Sequence, residues 1–310
     1  MIKVGVTSCD DLRAAELVRV LINHPDVDVR WVTADYPSGT RLDRIVPGIV
    51  GECEQLVNTG VEIDDVDIVF VCGKGGLGKS GLQPSDLLSA SRVVDLNGEH
   101  NLDHGGDKSW TYGMSEMQRR VLVHDTSHVT VPGSAATASL LALMPMARNL
   151  LLNSPLTLRV AIGSALFPED PTSWTQLQRE EVILALSQCQ SSFTQPVDMS
   201  ITRLAERRTL ALAAQFKCGI SGEMVRQLYE QYYDDHNFVF LVDRPIATAD
   251  VENTNKCLIR LEKDESDGML TVHAVMDLLL KGCVGNAVHV MNLMFGLHER
   301  VGLALKATGC

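Results

Sequence analysis

The sequence lacks the features that mark metal sites, disulfide frameworks and membrane spans. Its eight cysteines are scattered, with no Cys-x-x-Cys pair and no regular Cys/His spacing, so free, mostly buried thiols are expected and no metal site. No apolar run reaches the ~18 residues of a membrane helix. The first six residues are typical of a strand rather than a signal peptide, which predicts a cytoplasmic protein.

Positive charge is also scarce. The 27 Lys and Arg residues are outnumbered by 39 Asp and Glu residues, giving a formal net charge of −12. Because nucleic acids and anionic membranes bind basic surfaces, neither is an expected partner. The length of 310 residues, 45% of them hydrophobic, predicts an ordinary globular protein of about two domains.

Alternating strand and helix patterns predict an α/β protein. Residues 2–6, 11–23 and 27–32 predict a strand, a helix and a strand, the opening unit of a doubly wound, Rossmann-like sheet. The later segments are richer in strands and predict a second, α+β domain with a mixed sheet. Its predicted strands are residues 156–164, 197–203, 209–216, 238–242, 257–262 and 269–275, and its predicted helices are residues 139–152, 176–190 and 222–233.

The chain is expected to return to its first domain at the C-terminus. Residues 278–305 predict a long apolar helix that packs on that domain. We therefore expect one domain of residues 1–133 with about 285–310, and a second domain of residues 134–284.

The turn after the first strand lacks the glycines of a dinucleotide site. In a Rossmann domain, the pattern G-x-G-x-x-G lets the backbone approach a pyrophosphate, but residues 5–12 read GVTSCDDL. We interpret Asp10 and Asp11 as helix caps, because carboxylates are favourable at a helix N-terminus and repel a phosphate there.

A second candidate phosphate loop follows the predicted strand at residues 66–72. Residues 73–80, GKGGLGKS, match the phosphate-cradling pattern G-x-x-x-x-G-K-[ST]. Asp95, at the end of the next predicted strand, is a candidate magnesium ligand. The alternative is a glycine-rich βα loop that matches a short pattern by chance, and Pro84 in the following segment is unusual for a P-loop helix.

A Pro-Gly turn precedes a long apolar helical stretch. Residues 131–138 read VPGSAATA, which places Ser134 at the mouth of a helix, where free N–H groups and the helix dipole favour an anion. Such a position presents a nucleophile to an acyl group. The alternative is that Ser134 only caps the helix.

Several segments resemble one enzyme family, in the family's order along the chain. Residues 131–138 are similar to the PGC-x-A-T segment of N-acetyl-γ-glutamyl-phosphate reductases, and residues 112–119, YGMSEMQR, to their YGLPELNR. Further similar segments are residues 93–96, 253–257 and 281–288. The sequence is identified as a divergent member of this family, which belongs to the semialdehyde dehydrogenases.

The resemblance implies an activity and a set of site residues. The family reduces an acyl phosphate to an aldehyde with NADPH in arginine biosynthesis; a cysteine thiolate attacks the acyl group and a histidine handles protons. The family's cysteine position is held by Ser134. The cofactor positions are Ser8, Asp11, Gly73, Gly76, Gly285 and Asn286, and the substrate positions are Glu116, Arg203 and Arg208.

The differences from the family fall on the residues that carry its chemistry. Ser134 replaces the nucleophile, Gln176 and Gln178 stand where the family has histidines, and the glycines of the first turn are replaced by Ser8, Asp11 and Ala15. The resemblance with these losses implies a catalytically impaired homologue that binds NADP(H) weakly. It would form a homo-oligomer, either a dimer or a tetramer, or assemble with an active paralogue, or bind a small pathway metabolite.

Two alternatives come from other residues. One is an active reductase that uses a neighbouring cysteine, Cys72 or Cys283, as its nucleophile. The other is a nucleotide-binding protein that uses the loop of residues 73–80.

Overall fold

The computed structural model describes residues 1–73, 80–102, 110–124 and 126–307. They fold into two compact units, Met1–Pro132 with Cys283–Ala304, and Gly133–Gly282 with the residues from Leu305 onward. Within these residues, no helix has both the length and the apolar character that a membrane crossing requires.

The first unit is built on a six-stranded parallel sheet. Its strands are β1 (Ile2–Val6), β2 (Val27–Val32), β3 (Ile68–Val71), β4 (Val93–Asp95), β5 (Thr111–Tyr112) and β6 (His128–Thr130), and its helices include α1 (Leu12–Leu21), α2 (Pro84–Ser89) and α3 (Ser115–His124). The strand order is β2-β1-β3-β4-β6-β5. This order reverses direction between β1 and β3, the point outside whose carboxyl ends open α/β sheets bind ligands.

The second unit is built on a mixed six-stranded sheet. Its elements are helices α4 (Ser134–Arg148), α5 (Pro171–Cys189) and α6 (Gly222–Tyr233), and strands β7 (Leu156–Ile162), β8 (Val197–Arg203), β9 (Thr209–Lys217), β10 (Val239–Leu241), β11 (Cys257–Lys263) and β12 (Met269–Asp277). The order is β10-β11-β12-β9-β7-β8, in which β10–β11 and β7–β8 are parallel pairs and the others antiparallel. The doubly wound sheet and the mixed sheet predicted from the sequence are both confirmed.

The chain's last helix belongs to the first unit and is shorter than predicted. A short π-helix at Leu280–Val284 leads into α7 (Gly285–Met294), which packs against α1 and α3. The prediction of one helix over residues 278–305 is wrong, because Gly296, with φ of 67°, takes the left-handed conformation that ends a helix.

Two helices begin earlier than the apolar pattern suggests. Helix α5 starts at Pro171 rather than residue 176, because the Asp170 side chain accepts hydrogen bonds from the N–H groups of Thr172 (3.1 Å) and Ser173 (3.2 Å). Helix α4 starts at Ser134 rather than residue 139. Pro84 is likewise the first residue of α2, so prolines begin both α5 and α2.

A proline inside α4 is compensated by tyrosines of α6. Pro145 has no N–H, so the carbonyl of Leu141, four residues earlier, has no helical donor. The hydroxyl of Tyr233 donates to that carbonyl (2.5 Å), and the hydroxyl of Tyr229 donates to the neighbouring Ala142 carbonyl (2.5 Å). Because both tyrosines are buried, these bonds attach α6 to α4.

We expect Tyr233→Phe to lower the free energy of unfolding by about 1–2 kcal/mol, since a buried carbonyl loses its donor. Urea unfolding measures this, with Tyr232→Phe as control because the Tyr232 hydroxyl donates to the weak acceptor sulfur of Met144 at 3.7 Å. In a Pro145→Ala background residue 145 regains an N–H, so the loss should shrink. An undiminished loss there would contradict this account.

The C-terminal residues of the first unit are held by Asn292 and His24. The Asn292 amide nitrogen donates to the carbonyls of Glu299 (3.1 Å) and Val301 (2.9 Å), and its oxygen lies 3.0 Å from His24 Nε2. The Asp26 N–H donates to His24 Nδ1 (3.2 Å). This pattern requires a neutral His24 ring with its proton on Nε2.

We expect acid to destabilise the first unit through His24. Burial lowers the pKa of His24, against the raising effects of Asn292 and Asp26. The unfolded chain therefore binds the proton more readily, so the contribution of neutral His24 is present above about pH 6.5 and is lost as the pH falls through the folded-state pKa. Urea unfolding across this range should show a weaker pH dependence in His24→Gln than in the parent protein; identical profiles would assign the effect elsewhere.

Candidate functional site

The turn after β1 keeps a glycine-type backbone without the glycine. Ser8 has φ of 54°, in the left-handed region that favours glycine. Gly73, after β3, has φ of 81°, and a Cβ there would lie 2.6 Å from the Ser8 Cβ. These two predicted cofactor positions are therefore neighbours, and the Ser8 side chain fills the space beside Gly73.

Several N–H groups in and after this turn are bonded within the protein. The Ser8 N–H donates to Thr33 Oγ1 (3.2 Å) and the Cys9 N–H to the Thr33 carbonyl (2.7 Å). The Asp11 N–H donates to the Ser8 carbonyl (2.8 Å), and the Arg13 N–H to the Asp11 carboxylate (2.8 Å). A phosphate at such a turn is held by free N–H donors, and the N–H groups of Ser8, Cys9 and Asp11 are not available for it.

The side chain of Arg13 connects the start of α1 to the end of β4. Its Nε and Nη2 donate to the two carboxylate oxygens of Asp11 (3.0 and 3.1 Å), its Nη1 to the Leu96 carbonyl (2.9 Å) and its Nη2 to Asn97 Oδ1 (3.4 Å). Burial lowers the pKa of Arg13, but the hydrogen-bonded pair with Asp11 more than offsets this, and the net shift is upward. We call the group of Asp11, Arg13 and Leu96 the Arg13 clamp.

The clamp changes the interpretation of the two aspartates. Asp11 is confirmed as the N-cap of α1, but it does not act as a free charge against a phosphate because Arg13 neutralises it. Asp10 is not a helix cap: its Oδ1 accepts a hydrogen bond from the Asp35 N–H (3.0 Å).

The other predicted cofactor residues of this unit lie at the start of α7 and in the loop after β3. Gly285 and Asn286 are buried at the start of α7. Gly76, with most of the loop of residues 73–80, lies outside the described residues. Ser80 is buried, and its Oγ accepts from the Leu82 N–H (3.1 Å).

Asp95, the candidate magnesium ligand, accepts a backbone hydrogen bond at the end of β4. Its Oδ1 accepts a hydrogen bond from the Asn97 N–H (2.8 Å), and burial raises its pKa. In the part of the chain that the structure describes, no cluster of three His, Cys, Asp or Glu side chains could hold a metal ion. Among the described residues, Asp95 therefore has no group of such side chains beside it with which it could bind magnesium.

The two candidate cysteines have the environment of inert thiols. Cys72 and Cys283 are buried. Burial raises the pKa of Cys72 well above its usual value and that of Cys283 to about 11, although the charge of Arg13 acts in the opposite direction. Because only a thiolate is an effective nucleophile, neither cysteine has the chemistry of a replacement nucleophile.

Glu116, a predicted substrate residue, lies in a buried polar network. Ser115 Oγ donates to Glu116 Oε2 (3.0 Å) and lies 3.0 Å from His289 Nδ1, and His289 Nε2 lies 2.6 Å from Glu299 Oε2. Burial raises the pKa of Glu299. The hydrogen bond and charge of His289, together with the charge of Arg119, outweigh this effect, so the net shift of the pKa is downward. His289 is not among the residues predicted from the sequence, because no local pattern relates it to Ser115, 174 residues earlier.

In the second unit, side chains of α5 occupy the N-terminus of α4. Gln178 Oε1 accepts hydrogen bonds from the N–H groups of Ala135 (3.0 Å) and Ala136 (3.1 Å), and Glu181 Oε1 accepts from the Gly133 N–H (3.0 Å). Gln178 Nε2 donates to Glu181 Oε2 (3.3 Å). We call Gln178 and Glu181 the α5 cap.

The α5 cap leaves Ser134 as the first helical residue. Gly133 is the N-cap of α4, so the interpretation of Ser134 as the cap is wrong. A Cβ on Gly133 would lie 2.0 Å from Gln178 Nε2, which shows how closely the amide covers this turn. Of the N–H groups at this helix start, those of Gly133, Ala135 and Ala136 are therefore satisfied internally.

The histidines of this unit are engaged away from Ser134. His273 Nε2 lies 3.2 Å from Glu262 Oε2 on the sheet, and His236 stacks on Tyr232 with ring centroids 5.6 Å apart. Among the described residues of the unit, no hydrogen bond joins either histidine to Ser134. Neither of these two histidines is therefore hydrogen-bonded to Ser134 as a base would be.

The two predicted phosphate-binding arginines have different environments. Arg208 forms a bidentate ion pair with buried Asp277, with Nε–Oδ2 at 2.9 Å and Nη2–Oδ1 at 3.2 Å. Arg203 is exposed at the end of β8, with its guanidinium 5.7 Å from the centre of the Phe167 ring. The structure assigns Arg208 to a structural ion pair, whereas Arg203 is open to solvent.

The two units match known families and folds. Residues 3–124 match the family described as semialdehyde dehydrogenase, NAD binding domain, and residues 180–277 match semialdehyde dehydrogenase, dimerisation domain. The fold resembles that of a probable aspartate-semialdehyde dehydrogenase from Pseudomonas aeruginosa (TM-score 0.72) and of aspartate semialdehyde dehydrogenase II from Vibrio cholerae (TM-score 0.71), each 14% identical over 94% of this chain and 98% of that chain. The architecture is thus that of semialdehyde dehydrogenases.

Curated relatives define the family more closely. The chain is 34% identical to the N-acetyl-gamma-glutamyl-phosphate reductase of Phocaeicola vulgatus and 32% identical to that of Parabacteroides distasonis, in each case over 322 aligned residues and 99% of both chains. The chain therefore belongs to the semialdehyde dehydrogenase family, as a homologue of N-acetyl-γ-glutamyl-phosphate reductases. The resemblance drawn from the sequence motifs is confirmed.

Proposed function

We propose that this protein is a catalytically impaired homologue of N-acetyl-γ-glutamyl-phosphate reductase, which keeps the fold and self-association but not the reductase chemistry. The α5 cap is the observation that carries the proposal. In an acyl-transfer site, a nucleophile at a helix mouth depends on free N–H donors that stabilise the developing oxyanion. Here the N–H groups of Gly133, Ala135 and Ala136 are bonded to Gln178 and Glu181.

The nucleophile itself supports the same conclusion. A serine hydroxyl is hardly ionised at neutral pH and needs a dedicated base. Ser134 has no hydrogen bond to a histidine among the described residues of its unit, and the buried thiols of Cys72 and Cys283 are held in their neutral form. The alternative of an active reductase with another cysteine therefore has no observation in its favour.

The cofactor turn supports weak binding of NADP(H). When bound to an active relative, the cofactor supplies a hydride. In this chain the N–H groups of Ser8, Cys9 and Asp11 are consumed internally, and the Arg13 clamp closes the end of β4. A pyrophosphate would have to break these bonds before it could form its own.

The proposed role is assembly or ligand binding. The match to a dimerisation domain supports a homo-oligomer, either a dimer or a tetramer. A protein without catalytic turnover could serve the pathway in two ways. It could assemble with an active paralogue, or it could bind a small acyl-amino-acid metabolite. Light scattering of the protein alone and with an active relative distinguishes self-association from mixed assembly.

The decisive experiment is an assay of NADPH-dependent reduction of N-acetyl-γ-glutamyl phosphate, with the Phocaeicola vulgatus relative as positive control. We expect a background rate, and calorimetry should show NADPH binding weaker than micromolar. Micromolar NADPH binding would show that the clamp opens readily, and turnover of about 1 per second or faster would replace the proposal by the active-reductase alternative. Titration with ATP tests the nucleotide-binding alternative for residues 73–80.

A further inference from the structure

An open groove lies along one edge of the first unit's sheet. It has a volume of about 600 Å³ and lies between the first half of β2 and the segment of residues 52–58. Val27, Val29 and Leu56 contribute apolar surface to it, and Asp28, Glu52 and Glu54 contribute carboxylates. We call it the β2 groove, and none of its lining residues takes part in the site described above.

The groove exposes a strand edge that lacks a partner over half its length. Strand β2 is the outermost strand of its sheet. At its far end Val32 is bridged to Val57, and the Val32 carbonyl accepts from the Asn58 N–H (2.7 Å). Among the described residues, no strand pairs with residues 27–29 on that side. Unpaired backbone groups at a strand edge are a template for another extended chain.

The charged residues that line the groove are all carboxylates, and Arg30 and Arg41 lie near two of them. Glu52 and Glu54 are exposed, and neither takes part in an ion pair of the described residues. Asp28 pairs with Arg30 at 3.2 Å, but both side chains are more than two-fifths exposed, with 48% for Arg30 and 41% for Asp28. Such surface pairs are weak, so the groove presents carboxylates beside an apolar strip.

We propose that the β2 groove binds an extended basic peptide segment, which adds a strand to the sheet beside β2. A strand of about five residues spans roughly 17 Å, and its side chains alternate between two faces. Lys or Arg at every second position would pair with Asp28, Glu52 and Glu54, while apolar residues between them would contact Val27, Val29 and Leu56. The backbone ladder would supply affinity and the carboxylates would select basic partners.

The test uses a fluorescein-labelled peptide of alternating Arg and Val, and fluorescence anisotropy with the full-length protein. We expect Glu52→Lys with Glu54→Lys to weaken binding at least tenfold. Asp64→Lys with Asp65→Lys is the matched control, because it changes the net charge equally at exposed residues outside the groove and should weaken binding less than twofold. The same peptide N-methylated at alternate residues should not bind, since it cannot complete the ladder.

A second measurement uses the native thiol of the groove. Cys53 is half-buried there, so a bound strand should slow its alkylation, read by mass spectrometry, without changing that of half-buried Cys189. Equal weakening by both charge reversals would assign the binding to the overall charge of −12, and unchanged alkylation of Cys53 would place the peptide elsewhere. Absence of binding, or pairing of two copies through this edge in sedimentation, would equally overturn the proposal.

Discussion

Asp277→Ala should lower the free energy of unfolding of the second unit by about 3–5 kcal/mol. Asp277 is 0% exposed, and its two oxygens accept the bidentate pair from Arg208 together with the N–H groups of Asn253 (2.7 Å), Leu279 (2.9 Å) and Leu280 (2.8 Å). Removing the carboxylate leaves a largely buried guanidinium and three backbone donors without their acceptor. Each unsatisfied buried donor is costly, and an unpaired buried charge more so.

Urea unfolding followed by circular dichroism measures this loss, and the transition must be assigned to the second unit because two-unit chains need not unfold in one step. Asp277→Asn keeps an acceptor oxygen but loses the charge, so it should fall between the parent and Asp277→Ala. Asp250→Ala is the surface control: it removes an equally well-formed pair with Arg244, which is 60% exposed, and should have a much smaller effect. A loss below about 1 kcal/mol in Asp277→Ala would show that the Arg208 pair is not structural.

Local patterns were sufficient to predict most of the elements. Strand β8 and helix α6 occupy the residues predicted for them, 197–203 and 222–233, because each has a clear pattern of its own: an alternation of apolar residues in β8, and in α6 an apolar stripe that follows the capping Ser221. The error at the C-terminus has the opposite cause. Apolar residues continue after Met294, but a buried coil and a buried helix can have the same amino-acid composition. The left-handed backbone of Gly296 is what ends the helix here.

The candidate site could be predicted only in part, because its decisive contacts join distant residues. The resemblance identified Ser134 and Gln178 as positions that differ from the family. From the sequence alone, they could be interpreted only as the absence of a cysteine and of a histidine. That Gln178 bonds to Ala135, 43 residues away, is a property of the folded unit. The hydrogen bond from Arg13 to the Leu96 carbonyl likewise spans 83 residues, whereas the ion pair of Arg13 with Asp11 is local, two residues apart.

In the proposed function, these contacts account for the impaired chemistry. Gln178 would then do more than stand in place of a histidine, since it bonds the N–H groups of Ala135 and Ala136. A helix N-terminus with bonded N–H groups is more stable than one with free groups, so the α5 cap exchanges ligand binding for stability. Restoring activity therefore requires that these internal bonds be removed as well as that reactive groups be added.

Ser134→Cys alone should remain near background in acyl-phosphate reduction. The new thiol would lie at a helix start where the N–H groups of Gly133, Ala135 and Ala136 are bonded to Gln178 and Glu181, and neither histidine of its unit is bonded to Ser134. Residues that act as a unit are strongly non-additive, so replacing one absent member recovers almost nothing. Ser139→Cys, in the same helix but with its hydroxyl bonded to the Ala135 carbonyl, controls for the mere presence of a thiol.

The combination of Ser134→Cys, Gln178→His, Ser8→Gly and Asp11→Gly should regain a measurable rate. Gln178→His removes the amide from the N–H groups of Ala135 and Ala136 and adds a base, while the two glycines remove the Ser8 side chain and break the Arg13 clamp, which frees the guanidinium for an anion. A readout besides turnover is the alkylation rate of the new thiol, which should rise when Gln178→His is added because freed N–H groups and an imidazole both favour a thiolate. The same combination with Ser134 retained should stay inactive. Turnover of about 1 per second or faster in Ser134→Cys alone, or in the parent protein, would show that the α5 cap and the Arg13 clamp do not block the chemistry.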